Sequence, residues 1–296
     1  MSTPRPPLRA LLIDLSGTLH IGNTPTPGAV RALSRLRSSP PSAPGSSATP
    51  HPPYRFCSNT SKESAVALGA RLAAMGFALR EDTQELWTSL GAVAARLRAR
   101  GVRRPLCLLE RGAEEEVLRA LGPAPDGAPY DAVVLGLASS RLSYDGLSAA
   151  FRVLLAEPRP PLVATHRAKY VRTEDKASSS APEGANDTLA LGPGPFVAAL
   201  ENAAGVQAEV VGKPTRAFFE AVIGSFGEDE MLPDGKIAII GDDVETDLGG
   251  GAVELGLWRV LVRTGKYRPG DEHRPGVVPP DEVHDSFAAF VESLLG

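Results

Sequence analysis

Short apolar runs alternate along this chain with longer stretches in which apolar residues recur every three or four positions. The runs predict strands at 10–15 (ALLIDL), 55–58 (RFCS), 105–110 (PLCLLE), 131–137 (DAVVLGL), 161–166 (PLVATH), 209–213 (EVVGK), 236–242 (KIAIIGD) and 258–264 (WRVLVRT). The stretches between them predict helices at 61–76, 84–101, 143–157, 195–205 and 215–227, with a closing helix near 285–295. A compact apolar run bounded by turn residues suits a strand buried on both faces, whereas the wider spacing lays one apolar stripe along a helix. Strand–helix alternation of this kind builds βαβ units around a parallel sheet, so the expected class is α/β with a Rossmann-like sheet.

Two segments break the rhythm. Residues 38–53 hold six prolines and five serines in sixteen positions. A stretch so poor in apolar surface cannot offset its own ordering entropy, and it reads as a disordered loop insertion. Residues 174–187 (EDKASSSAPEGAND) read as a second polar insertion.

Composition narrows the function. The net charge of −4 gives no basic footprint for nucleic acid. No run is long enough to span a bilayer, so no membrane role is expected. Two cysteines, Cys57 and Cys107, make neither a disulfide framework nor a zinc cluster and suit a reducing, cytoplasmic setting.

Chemistry-bearing residues gather at the C-terminal ends of four predicted strands, the edge where open α/β sheets bind ligands. They are Asp14 to Thr18, Ser58-Asn59-Thr60, Gly212-Lys213-Pro214, and Gly241-Asp242-Asp243 with Asp247. Asp14 and Asp242, with a backbone carbonyl and waters, make an oxygen site suited to Mg²⁺. Asp243 and Asp247 can orient those ligands or bound waters. The Ser58 hydroxyl and the Lys213 ammonium can hold phosphate oxygens. That leaves Asp14 as a carboxylate nucleophile toward phosphorus. Each piece alone also has a bland reading, as a helix cap, a turn or a solvated lysine.

The order D-x-x-G-T, S-N-T, G-K-P and G-D-D-x-x-x-D resembles the four motifs of the haloacid dehalogenase (HAD) superfamily, in its NagD-like branch with a C2-type cap. The resemblance covers nearly the whole chain. It implies a HAD core at 1–83 and 191–296 with an inserted α/β cap at 84–190. It implies a Mg²⁺-dependent phosphohydrolase working through an aspartyl phosphate on Asp14, with a small phosphorylated compound or pyrophosphate as substrate. By motif, Asp14, the Ser16 carbonyl and Asp242 hold the metal, Ser58 and Asn59 bind phosphate, and Lys213 stabilises it. A homodimer through the cap is compatible with the same resemblance.

One position departs from the usual pattern. Most phosphatases of this superfamily carry a second aspartate two residues after the nucleophile, as general acid and base; here that residue is Ser16. Serine does neither job well, and such help is typically worth roughly 10²–10⁴ in rate. Substrates whose leaving group needs no proton from the enzyme suffer least, which favours pyrophosphate and phosphoramidates over alkyl esters. His20 is a candidate replacement, though a strand-end polar histidine is the stronger reading. In the cap, Arg167 and Lys169 would share one face if THRAKYVR formed a strand. The serine also leaves open a metal- and phosphate-binding protein of low turnover that acts by interaction.

Overall fold

The computed structural model describes residues 4–38, 51–80, 84–172, 189–227 and 230–296. Most of the first polar insertion (39–50) and all of the second lie outside the described residues. Each predicted strand is present: Leu8–Asp14, Tyr54–Ser58, Pro105–Leu108, Ala132–Leu135, Leu162–Ala164, Glu209–Val210, Lys236–Gly241 and Trp258–Val262. The chain divides into two units, one of Met1–Ser58, Gly69–Trp87 and Pro214–Gly296, the other of Asn59–Leu68 and Thr88–Lys213.

The first unit is built on a six-stranded sheet in the order Glu282–His284, Trp258–Val262, Lys236–Gly241, Leu8–Asp14, Tyr54–Ser58, Leu86–Thr88. Leu8–Asp14 runs parallel to both its neighbours, and all but one of its residues are buried. Burial on both faces is why this strand reads as a continuous apolar run rather than an alternating one. On helix Ala29–Ser38 the residues Ala29, Ala32, Leu33 and Leu36 are buried, one stripe at three- and four-residue spacing, and this helix packs on the closing helix Phe287–Leu295. Fully burying a leucine of this kind contributes about 1.5–3 kcal/mol.

The second unit has its own sheet, four parallel strands in the order Glu209–Val210, Leu162–Ala164, Ala132–Leu135, Pro105–Leu108. Alternate side chains go to opposite faces. Ala132, Val134 and Val163 pack with Leu90, Val93, Ala113 and Val117 from the helices Ser89–Ala99 and Arg111–Leu121. Val133, Leu135, Leu162 and Ala164 pack with Ala150, Leu154, Val197 and Leu200 from Tyr144–Leu154 and Gly194–Ala204. The unit is therefore a sheet between two helical layers, and both units are α/β.

Two expectations change. The predicted helix 84–101 begins only at Ser89, because Leu86–Thr88 adds an edge strand to the first sheet. Thr88 then caps the helix, its side chain accepting from the Gly91 N–H at 3.1 Å. The segment 166–169 is not strand; strand resumes at Tyr170–Arg172, paired antiparallel with Leu189–Leu191. Arg167 and Lys169 therefore do not share a strand face, and Arg167 is engaged by Glu201.

Candidate active site

Asp14 is the last residue of its strand, between the ends of two parallel neighbours. The register pairs Ile13 with Ile240 on one side and Asp14 with Cys57 on the other. Asp242 lies two residues past Ile240 and Ser58 one past Cys57. Strand hydrogen bonding alone thus brings three of the predicted residues to one sheet edge, and all three are buried.

Past Asp14 the chain turns sharply. The Leu19 N–H returns to the Leu15 carbonyl at 2.8 Å, and the Gly17 N–H reaches the His20 carbonyl at 2.7 Å. Thr18 Oγ1 donates to Asp14 Oδ2 at 2.9 Å, fixing the rotamer of the carboxylate. Gly17 sits at φ +101, and a Cβ there would lie 2.0 Å from Asp242 Oδ2. Gly265 meets the same oxygen from another segment, at φ +54 and 2.1 Å. Only glycine meets both demands, a left-handed backbone and no side chain against a carboxylate. The Ser16 side chain is exposed. His20 is buried in a small hairpin, where its Nδ1 donates to the Gly22 carbonyl at 2.8 Å.

Asp14, Asp242 and Asp247 each offer one carboxylate oxygen, and these oxygens lie within 4.8 Å of one another. Burial first, then the charges of Asp247 and Asp14, pushes the Asp242 carboxyl well above the usual carboxylate range, against the pull of Lys266. Three buried carboxylates so close form a hard-oxygen donor set that fits a divalent cation, which would offset their repulsion. Asp247 thus lies close to both Asp14 and Asp242. Asp243 lies outside this triad. Its Oδ1 accepts from the Glu245 and Thr246 N–H groups at 2.9 and 3.2 Å. Burial raises its carboxyl, but the Lys266 ammonium and these hydrogen bonds outweigh it and hold the group below its ordinary value.

Lys266 is the residue that sequence reasoning missed. Its N–H donates to Asp242 Oδ2 at 2.6 Å, and its Nζ lies 3.4 Å from Asp243 Oδ2. Burial lowers its affinity for a proton, yet Asp243, Asp242, Asp247 and Asp14 together push it up to about 12. The stretch RTGKYRPG carries a lysine directly after a strand–turn, but nothing in that pattern names its partner.

Asn59 and Lys213 belong to the second unit and are bound to each other. Asn59 Nδ2 donates to the Lys213 carbonyl and Asn59 Oδ1 accepts from the Lys213 N–H, both at 2.9 Å. The amide copies a strand pairing and fixes the backbone from which the buried Lys213 side chain departs.

Comparison with known proteins adds a second line of argument. Residues 11–123 match the family described as haloacid dehalogenase-like hydrolase, and residues 210–290 match a HAD-hydrolase-like family. The chain is 40% identical over 289 residues to human haloacid dehalogenase-like hydrolase domain-containing protein 2, covering 97% of this chain and 96% of that one. It is 32% identical over 292 residues to human phospholysine phosphohistidine inorganic pyrophosphate phosphatase, covering 97% and 94%. Among solved structures, glycerol phosphate phosphatase of Mycobacterium tuberculosis in complex with magnesium superposes with a TM-score of 0.72 at 27% identity, covering 95% of this chain and 76% of that one.

Proposed function

Since this chain belongs to the haloacid dehalogenase-like hydrolases and is an enzyme of their phosphatase class, we propose that it is a magnesium-dependent phosphohydrolase whose nucleophile is Asp14. The observation that carries the proposal is the convergence of the buried Asp14, Asp242 and Asp247 carboxylates at one sheet edge. Asp14, Asp242 and the Ser16 carbonyl would hold the metal, with Asp247 beside them. When bound, Mg²⁺ would neutralise carboxylate charge and draw electron density from the phosphoryl oxygens.

The chain's own groups divide the remaining work. Asp14, kept in one rotamer by Thr18, attacks phosphorus, and the phosphoryl group passes to it as the leaving group departs. Ser58 and Asn59 bind phosphoryl oxygens, and Lys213 offsets their charge. Water then cleaves the acyl phosphate and regenerates Asp14. The second unit, inserted into the chain of the first, serves as the cap that selects substrates.

Ser16 sets the substrate class. It has no proton to give the leaving group at neutral pH and no basicity to activate water. Leaving groups that depart unaided are therefore favoured: phosphate from pyrophosphate, or an amine already protonated from a phosphoramidate. The name of the 32%-identical human relative carries the same substrate types. Small phosphomonoesters are slower substrates on this reading. The test is phosphate release from pyrophosphate, phosphohistidine, phospholysine and sugar phosphates, with and without Mg²⁺. Turnover that is Mg²⁺-dependent and greatest on the first three supports the proposal. Phosphate binding with no turnover on any of them favours a binding protein, the reading that Ser16 keeps alive.

A further inference from the structure

Beside the triad of carboxylates stands a fourth, that of Asp243, and the Lys266 residue touches both. The Lys266 side chain approaches Asp243 while its backbone N–H holds Asp242. That backbone is fixed by bonds that do not involve the side chain. Thr264 Oγ1 donates to the Gly17 carbonyl, and the Tyr267 N–H donates to the Thr264 carbonyl at 3.1 Å. Tyr267 OH and Arg263 Nη2 both donate to Glu272 Oε1, at 3.2 and 3.3 Å. Gly265 packs against Gly17, so the strap formed by residues 263–267 stays flush with the turn that follows Asp14.

We propose that Lys266 is a resident counter-cation of this cluster, a positioning residue that orients Asp243 and limits how tightly a divalent ion binds beside it. The inference rests on the reading that the aspartate triad holds a divalent cation. With that ion and the lysine both in place, the cluster carries a smaller negative charge than the ion alone would leave. An anionic phosphoryl group then meets less repulsion. Its backbone N–H on Asp242 and its ammonium on Asp243 tie Lys266 to the triad and not to Asp243 alone. One charge therefore has two effects of opposite sign: it repels the metal ion and attracts the phosphate. Damage to folding would weaken both.

The test is calorimetric titration of the full-length protein with MgCl₂ in four forms: unchanged, Lys266→Met, Lys266→Arg and Asp242→Asn. Lys266→Met keeps the N–H that holds Asp242 and loses only the charge. It should bind Mg²⁺ about tenfold more tightly, the scale of one unit charge a few ångströms from a divalent ion in a partly hydrated site. Inhibition by inorganic phosphate should weaken several-fold in the same variant, and Lys266→Arg should restore both. If the methionine variant does not fold, Lys266→Gln is expected to show the same pair of shifts. Unchanged or weaker Mg²⁺ binding without the Lys266 charge, while Asp242→Asn has lost Mg²⁺, overturns this inference and leaves the triad reading standing. Undiminished Mg²⁺ binding by Asp242→Asn overturns the triad reading, and the inference with it.

Discussion

The Asp14 carboxylate is held at one oxygen, Oδ2, by the Thr18 hydroxyl. Asp14→Asn keeps the shape and the hydrogen bond but removes the nucleophile. Turnover should fall below detection, and no beryllofluoride complex should form on the folded variant. Asp242→Asn should cut activity by orders of magnitude and shift its Mg²⁺ dependence to higher concentration, because the cation site then keeps too few charged oxygens. Ser16 gives the opposite kind of prediction, a gain. Its side chain is exposed, so an aspartate there has room. Ser16→Asp should raise kcat/KM for an alkyl phosphate by up to roughly 10²–10⁴, the general acid–base factor. Pyrophosphate should gain less in its first irreversible step, since its leaving group never waited for a proton. The ratio of the two kcat/KM values is the measurement, and an equal gain on both would mean that Ser16 does not set leaving-group preference.

At the scale of elements, the edge strand Glu282–His284 carries a polar network with a titration of its own. Glu282 accepts from Arg5 Nε at 2.6 Å, from Trp258 Nε1 and from His284 Nε2 at 2.8 Å. Burial alone would raise its carboxyl, but the bonds from Arg5, His284 and Trp258 outweigh it and bring the group from 4.5 to about 2. The folded state thus keeps Glu282 ionised where the unfolded chain protonates it. The stabilisation is complete above about pH 4.5 and is lost as the pH falls toward 2. Glu282→Gln should cost about 1.5–3 kcal/mol at pH 7, the range for hydrogen bonds to a charged group. Urea unfolding of the two proteins at pH 7 and pH 3 should show the gap narrowing at the lower pH. The eight main strands were legible because parallel strands buried on both faces read as plain apolar runs. Helix Arg111–Leu121 was not singled out, since it buries little more than Ala113 and Val117 on its inner face. Leu86–Thr88 was read as helix because three residues are too few to reveal a period. The aspartates were legible from their places after strands. Lys266 was not, because its partners lie more than twenty residues away in the chain and only the folded strap brings them together.

At the scale of the molecule, each unit has its own sheet, and the three triad carboxylates all belong to the first unit. Separate cores predict that heating will not give a single two-state transition, so the calorimetric enthalpy should exceed the van't Hoff value. Mg²⁺ at a hundred times its dissociation constant should stabilise the unit that binds it by about 2.7 kcal/mol and move that transition upward more than the other. A scan with and without Mg²⁺ checks both points; one transition moving as a whole would mean the units melt together. Arg5 has a different kind of consequence. Its guanidinium reaches the Ser293 carbonyl and hydroxyl, both at 3.0 Å, and lies over the Phe290 ring. Positions 5 and 293 are thus neighbours in space, and a force that draws the segment before Leu8 away from helix Phe287–Leu295 would have to break this grip before it loads the sheet.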